Sequence, residues 1–286
     1  MSVNISHTDG SRPVGADTPL DSRSVALRVT IVRVLQAAGR AHFGAALSLV
    51  EILRVLYDDV LRYDASNPEW PERDRFVLSK GHGALAQYVM LAEKGFFPEA
   101  ELWKYTQSDG MLCGHPDHRR VPGVEVSTGS LGHGLPIGTG FAVNAVIDGA
   151  SHRTFVVIGD GESNEGSIWE AALFAGKHRL SNLTVMVDYN KHQSYGPTSY
   201  VQDLEPLADK WRSFGFAVAE VDGHSVDGLR DVLTNLPLDD SKPSLIICHT
   251  VKGKGIDFAE NNMEWHHKNR VTDEEIKALM ASLEAH

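Results

Sequence analysis

The amino-acid sequence predicts an α/β fold: a doubly wound, mostly parallel sheet with helices on both faces. Three observations carry this reading. Short Val/Ile/Leu runs alternate with amphipathic stretches through the second half of the chain. Those runs are continuously apolar, the mark of strands covered on both sides. No linker, charge run or internal repeat cuts the series, so one domain is expected.

Residues 1–20, with their Gly, Pro, Ser and Asp, read as a flexible tail ahead of a single domain over 21–286. Asp21-Ser22 is a helix-start signal, and Val25, Val29, Val32 and Leu35 form its stripe. A tight Gly39-to-Gly44 connector leads to a second amphipathic helix through Leu47, Val50, Leu53 and Val60. Phe76-Val77-Leu78 is a short strand, followed by a helix over about His82–Lys94 and another opening at Pro98. Residues 108–134 are too long and too rich in Gly, Pro, Ser and Asp for a plain connector, and ordered loops of that length are usually functional. Strands are then expected at Thr154–Ile158, Leu183–Val187, Ala217–Val221 and Ser244–Cys248. Helices at Ile168–His178, Leu204–Phe214 and Val226–Leu236 separate them, and Thr272–Leu283 closes the chain.

Composition narrows the function. The 286 residues carry 27 Lys+Arg against 38 Asp+Glu, a net charge of −11, and lack the clustered cations that phosphate-backbone binding requires, so no nucleic-acid partner is expected. No window approaches the roughly 18 consecutive apolar residues of a spanning helix, and the polar start holds no apolar signal core, so a cytoplasmic protein with no membrane partner is expected. Cys113 and Cys248 are far apart and read as incidental reduced thiols. The compositional oddity is the 14 histidines.

In open parallel sheets ligands bind at the carboxyl ends of the strands. Two such ends are chemically unusual: Thr154–Ile158 runs into Gly159-Asp160-Gly161-Glu162, and Leu183–Val187 runs into Asp188-Tyr189-Asn190-Lys191-His192. Asp160 and Asn190 are thirty positions apart, about one βαβ repeat, which sets their side chains beside each other at one sheet edge. A hard divalent cation takes one or two protein oxygens while phosphates and water complete its shell. Asp160, Asn190 and a backbone carbonyl just beyond would leave room for a diphosphate, and the flanking glycines let main chain approach. Gly-Asp-Gly by itself is an ordinary strand-to-helix turn with an Asp cap; Asn190 at matching phase moves the reading to a ligand site.

Gly159-Asp160-Gly161 through Asp188-Tyr189-Asn190 looks like the thiamine-diphosphate signature, and the surrounding text resembles transketolase. The resemblance includes Arg73–Gly83, Gly114-His115-Pro116-Asp117 and Pro122–Gly134, and runs from about Arg23 to His267. It implies the thiamine-diphosphate-binding fold, with thiamine diphosphate and Mg²⁺ or another divalent cation as cofactors. Asp160, Asn190 and the carbonyl of His192 match the metal ligands. Gly161, Glu162 and the Gly129-Ser130-Leu131 turn match the segments that hold the diphosphate and pack on the cofactor. His82 and His266 match histidines that approach the diphosphate and the substrate, His42 one at the reacting hydroxyl, His115 one on the donor's terminal hydroxyl, and Glu165 a glutamate between active-site halves. Departures are Ala41 in place of a usual glycine and His133 in place of a frequent glutamine.

Imidazole suits such chemistry, because breaking a carbon–carbon bond in a ketose needs one proton to leave a hydroxyl and another to return. His7, His118, His152, His178, His224 and His286 read as surface or satisfied core residues. Lys252-Gly253-Lys254-Gly255 reads as a solvated basic loop, ahead of the alternative that, lying just before His266, it closes over a phosphate. Single-chain transketolases continue into a second domain, which has no counterpart after Leu283, so the chain resembles the N-terminal subunit of a split transketolase. Its expected partner is a separately encoded C-terminal, pyrimidine-binding subunit in an α2β2 assembly with an apolar interface, and its substrates are sugars. Alternatives are an α-type subunit of a thiamine-dependent 2-oxoacid dehydrogenase, a catalytically silent binding subunit, and a nicotinamide dehydrogenase. The last needs a Gly-x-Gly-x-x-Gly turn after an early strand, and these glycines are spaced differently.

Overall fold

In the computed structural model, which describes residues 14–286, the chain begins with α1 (Ser22–Ala38), α2 (Phe43–Leu47) and α3 (Val50–Val55). The carboxylate of Asp21 caps α1 by accepting from Ser24 N at 2.8 Å, and Gly39, at φ +72°, stops it. The expected single second helix is instead two short helices and a wide π-type turn over Leu56–Val60. β1 (Arg75–Leu78) precedes α4 (Ala84–Glu93), and the helix expected at Pro98 is a 3₁₀ turn over Glu99–Lys104.

α5 (Gly134–Asp148) was not expected from the sequence, because Gly, Pro and Thr dilute its helical signal. The small residues serve packing: a Cβ at Gly138 would meet Val156 Cγ2 at 2.4 Å, so glycine lets α5 lie directly on the sheet. β2 (Thr154–Gly159), α6 (Gly166–Lys177) and β3 (Leu183–Tyr189) follow. A hairpin of β4 (His192–Gln193) and β5 (Gly196–Pro197) leads into α7 (Thr198–Val201). α8 (Leu207–Ser213), β6 (Ala217–Asp222), α9 (Val226–Thr234), β7 (Ser244–His249) and α10 (Asp273–Glu284) complete the chain. α10 starts with a capping box between Thr272 and Glu275.

The five long strands pair in the order β1-β2-β3-β7-β6, all parallel. Alternate residues enter different layers, as the pleat requires. Phe155 and Val157 of β2, with Ile246 and Cys248 of β7, pack under α1, α3, α4, α9 and α10. Val156, Ile158, Leu245 and Ile247 pack under α5, α6 and α8. The doubly wound architecture expected from the continuous apolar runs is therefore the observed one. Among the described residues no helix is long and apolar enough to cross a membrane.

Residues 1–13 of the expected tail lie outside the described residues. Residues 14–20 are not loose: Leu20 is buried, Thr18 Oγ1 donates to Asp222, and Lys254 Nζ donates to the carbonyls of Gly15 (3.0 Å) and Ala16 (2.7 Å). Polar composition suggested mobility, but a buried lysine needs acceptors and this segment supplies them.

Candidate active site

β2 and β3 run side by side with Gly159 opposite Asp188, so the residues that follow them emerge at one edge of the sheet. Asp160 is buried there; its Oδ1 accepts from Gly161 N at 2.6 Å and its Oδ2 accepts from Lys191 N, the amide next to Asn190. Asn190 is buried too, its Oδ1 accepting from His192 N at 3.1 Å. The carbonyl of His192 accepts from Lys252 Nζ at 2.8 Å. Asp160, Asn190, His192 and Lys252 line one cleft of about 240 Å³ with Lys80, His82, Leu131, Gly161, Glu162 and His266. The expected convergence of Asp160 and Asn190 is thus a feature of the fold.

Electrostatics distinguish the two aspartates at these strand ends. Burial pushes Asp188 up, but Lys80, with hydrogen bonds from Lys80, Thr250 and Ser48, outweighs it and holds the carboxyl below its usual range. Asp160 has no such neutralising set: burial and the nearby charge of Asp188 push it up to about 6, against the smaller opposing pull of Lys252 and the Gly161 amide. Lys252 is pushed down to about 8 by burial and by Lys80. Its place in a basic loop suggested solvation; instead Lys252 and Lys254 are both buried, because the loop folds under α2 and toward the strand ends.

Glu162 is spent on architecture. Its carboxylate accepts from Ser79 Oγ, from Gly132 N at 2.9 Å and from Gly159 N at 3.0 Å, tying the 129–134 turn to β2. Within that turn Leu131 lines the cleft, Ser130 is exposed, and Gly129 packs on a histidine. Position 129 sits at φ +140°, and a Cβ there would lie only 3.0 Å from the His115 ring, so it accommodates glycine alone. Glu165 is exposed at the rim of the cleft, and His133 is exposed beside the turn.

Four of the expected histidines gather. The His42 ring lies 5.8 Å from His82, 5.5 Å from His115 and 6.4 Å from His266, and His82 is 6.2 Å from His266. His267, to which no sequence signal pointed, is nearer still at 4.3 Å from His42. Burial, followed by the neighbouring His267, His115 and lysine charges, pushes His42 down to about 4. Burial and Lys252 push His266 to about 3, while His82 and His115 are lowered chiefly by burial. At neutral pH these four imidazoles, lowered by burial, are held in the uncharged form. His224, expected to be a satisfied core residue, is one: it bridges Glu51 (2.8 Å) and Val251 N (2.8 Å).

The cleft fits an anionic cofactor bound through a hard cation. Asp160, Asn190 and His192 line one cleft, where the Lys252 ammonium donates to the His192 carbonyl, and among the described residues His266 Nδ1 is buried without a partner. Among the described residues no three His, Cys, Asp or Glu side chains form a metal-binding group; a carboxylate, an amide and a carbonyl make a different donor set, suited to a cation that keeps phosphate and water ligands.

Comparison with known proteins gives concordant results. A family model described as transketolase, thiamine diphosphate binding domain, matches residues 21–285. The 6-deoxy-6-sulfo-D-fructose transketolase subunit SqwG of Clostridium sp. (strain MSTE9) is 42% identical over 265 residues, 93% of this chain and 96% of that protein. An apulose-4-phosphate transketolase subunit from Actinobacillus succinogenes is 45% identical over 262 residues, 91% and 94% of the two chains. The solved transketolase from Leishmania mexicana superposes with a TM-score of 0.85 at 30% identity, covering 93% of this chain and 42% of that one. The chain thus spans about two fifths of that solved transketolase and nearly all of the two subunits.

Proposed function

Since the chain belongs to the transketolase family, as its thiamine diphosphate-binding domain, we propose that it is the diphosphate-binding subunit of a two-subunit transketolase, moving a two-carbon ketol unit from a phosphorylated or otherwise acidic ketose to an aldose. Its partner is a pyrimidine-binding subunit in an α2β2 assembly, and its location is cytoplasmic. Two relatives that match it over nearly their full lengths are named as transketolase subunits, which supports the division into two chains. Val146 and Ile147 at the end of α5, and Leu173 and Phe174 on the adjoining α6, are exposed. Apolar exposure of that kind suits a partner-covered face.

The observation that carries the reading is the junction of an oxygen-lined cleft with a cluster of neutral histidines. Asp160, Asn190 and the His192 carbonyl would hold Mg²⁺ or another divalent cation, and Lys252, which lines the same cleft, would donate to a diphosphate there. Gly161 and Leu131 line the cleft and would pack along the cofactor, and Glu162 fixes the turns that carry them. Thiamine diphosphate, when bound, supplies the electron sink that lets the bond beside a ketose carbonyl break. The protein's own work is proton movement and positioning. His266, with Nδ1 unpaired, and His42 accept the proton of the hydroxyl beside that bond and return one to the released aldehyde. His115 holds the donor's terminal hydroxyl, and His82 approaches the diphosphate and the substrate.

Calorimetry on the chain co-purified with its partner tests the proposal. Thiamine diphosphate with Mg²⁺ is expected to bind, and Asp160→Ala is expected to weaken that binding about 100-fold, the upper end of losing one metal-site interaction. Equal heats for the two proteins would refute the assignment of the cleft.

A further inference from the structure

The loop that carries Lys252 into the cofactor cleft follows β7, and its residues 251–256 are all buried. Loops normally run over the surface, because buried main chain needs partners. Here the partners come from several elements. Val251 N donates to His224 Nε2 at 2.8 Å, Gly253 N to Gly44 O at 3.2 Å, and Gly255 N to Glu260 Oε1 at 3.0 Å. Lys252 O accepts from Asn261 N at 2.8 Å, and Lys254 O from Arg28 Nε at 2.8 Å.

Two of those partners belong to one buried chain of side chains, which grips the loop on either side of Lys252. A backbone N–H donates only to a bare ring nitrogen, so Nε2 of His224 is the acceptor and Nδ1 carries the proton, which it gives to Glu51 Oε2 at 2.8 Å. Glu51 also accepts from Arg28 Nη1 at 2.6 Å and Nη2 at 3.0 Å, and Nε of the same guanidinium closes the circuit on Lys254 O. Arg28 stands on α1, Glu51 on α3 and His224 just before α9, and none of the three lines the cofactor cleft. A buried ion pair adds little net stability over apolar packing of the same volume. What this one adds is a fixed place for the main chain at Val251 and Lys254.

The two lysines of the loop part company there. Lys254 turns away to the carbonyls of Gly15 and Ala16. Lys252 lies against α2, its Cγ 3.1 Å from where a Cβ on Gly44 would stand, and its Nζ reaches His192 O inside the cleft. A lysine is a flexible stem with a compact ammonium and no rigid fork, so its position follows from the main chain it grows from and the wall it lies along. We propose that His224, with Arg28 and Glu51 behind it, is a positioning residue for Lys252: the network fixes the loop on both sides of that lysine and so presents its ammonium, preformed, to the anionic cofactor. The inference rests on the reading of the cleft as the thiamine diphosphate site and deepens it. A donor already held in its bound place loses little further freedom when the diphosphate arrives, and affinity rises accordingly.

A double-mutant cycle of His224→Leu and Lys252→Met tests this, by calorimetry with thiamine diphosphate and Mg²⁺ on the complex co-purified with its partner. His224→Leu is expected to weaken cofactor binding about tenfold, the lower end for loss of an outer-shell partner. His224→Gln, whose amide oxygen can again accept from Val251 N, is expected to recover part of the loss. In the Lys252→Met background the same His224→Leu change is expected to alter affinity by about twofold or less, because no ammonium remains to be misplaced. Equal weakening in both backgrounds is the mark of a merely structural role; that result, or no weakening in the first background, would overturn the inference while leaving the cofactor site established. A parent complex that binds no cofactor would overturn the functional reading and the inference with it. Hydrogen exchange supplies an arm that needs no variant to fold. In the cofactor-free parent complex the amides of Val251 and Gly253 are expected to exchange as slowly as those of β7, and exchange at the rate of an open loop would overturn the inference.

Discussion

Two buried carboxylates, Glu51 and Asp160, are shifted in opposite directions although burial pushes both up. Glu51 on α3 receives Arg28 Nη1 at 2.6 Å, Arg28 Nη2 at 3.0 Å and His224 Nδ1 at 2.8 Å. Arg28 also donates to the carbonyls of Lys254 and Leu47. Burial alone would raise Glu51, but Arg28 and His224 outweigh it and hold the carboxyl far below its usual range. Asp160, equally removed from water, receives two backbone amides and only a distant share of Lys252, and is raised to about 6. A buried charge that its own chain has neutralised is architecture; one left under-neutralised at a strand end marks a place where another charge belongs.

Removing a member of the satisfied network should cost most. Glu51→Gln leaves Arg28 buried without its counter-ion and is expected to lower the unfolding free energy by about 3–5 kcal/mol, read as an earlier midpoint in urea. A midpoint within error of the parent would mean that the Arg28 network is dispensable, and would remove the contrast with Asp160.

The histidine cluster should give a smaller, pH-dependent effect. His42 and His266 titrate near 4 and 3 in the folded chain and near 6.5 once unfolded. The unfolded chain therefore binds more protons between those values, so stability is complete above about pH 6.5 and falls as pH drops. Each histidine is partly solvated, so screening limits its share at pH 5.5 to about 1 kcal/mol. Urea midpoints of the cofactor-free protein should decline from pH 7.5 to 5.5, and His42→Gln should flatten the decline. An identical slope in the variant would show that His42 is not buried against the proton as described.

The smallest effect sharpens the contrast itself. Because Asp160 is raised in the folded chain, its ionisation opposes folding as pH rises through about 6. Asp160→Asn should leave cofactor-free stability at pH 7 within about 1 kcal/mol of the parent or above it. A loss as large as that of Glu51→Gln would place Asp160 among the structural carboxylates.

The sheet was legible because strands covered on both faces are dominated by apolar residues, as in Phe155–Ile158, Val185–Val187 and Leu245–Cys248, whereas Ala217–Val221, at the sheet's edge, carries the exposed Glu220. The cleft was legible for a related reason: strand phase and the carboxyl-end rule placed Asp160 and Asn190 together, and the motif-bearing loops named His42, His82, His115 and His266. Helix α5 was hidden, since its glycines answer to the close packing on Val156 and not to helix propensity.

What the sequence by itself determined, then, was the succession of the five long strands, the cleft at the ends of β2 and β3, and the family to which the chain belongs. What only the tertiary structure decided was the fate of individual charges: that Lys252 is buried against the His192 carbonyl, that His267 stacks near His42, that Arg28 finds Glu51, and that Arg40 is left facing an open cleft. Periodicity and turn chemistry act between near neighbours in the chain, whereas the partner and burial of a charge depend on residues up to 239 positions away, as between Lys254 and Gly15.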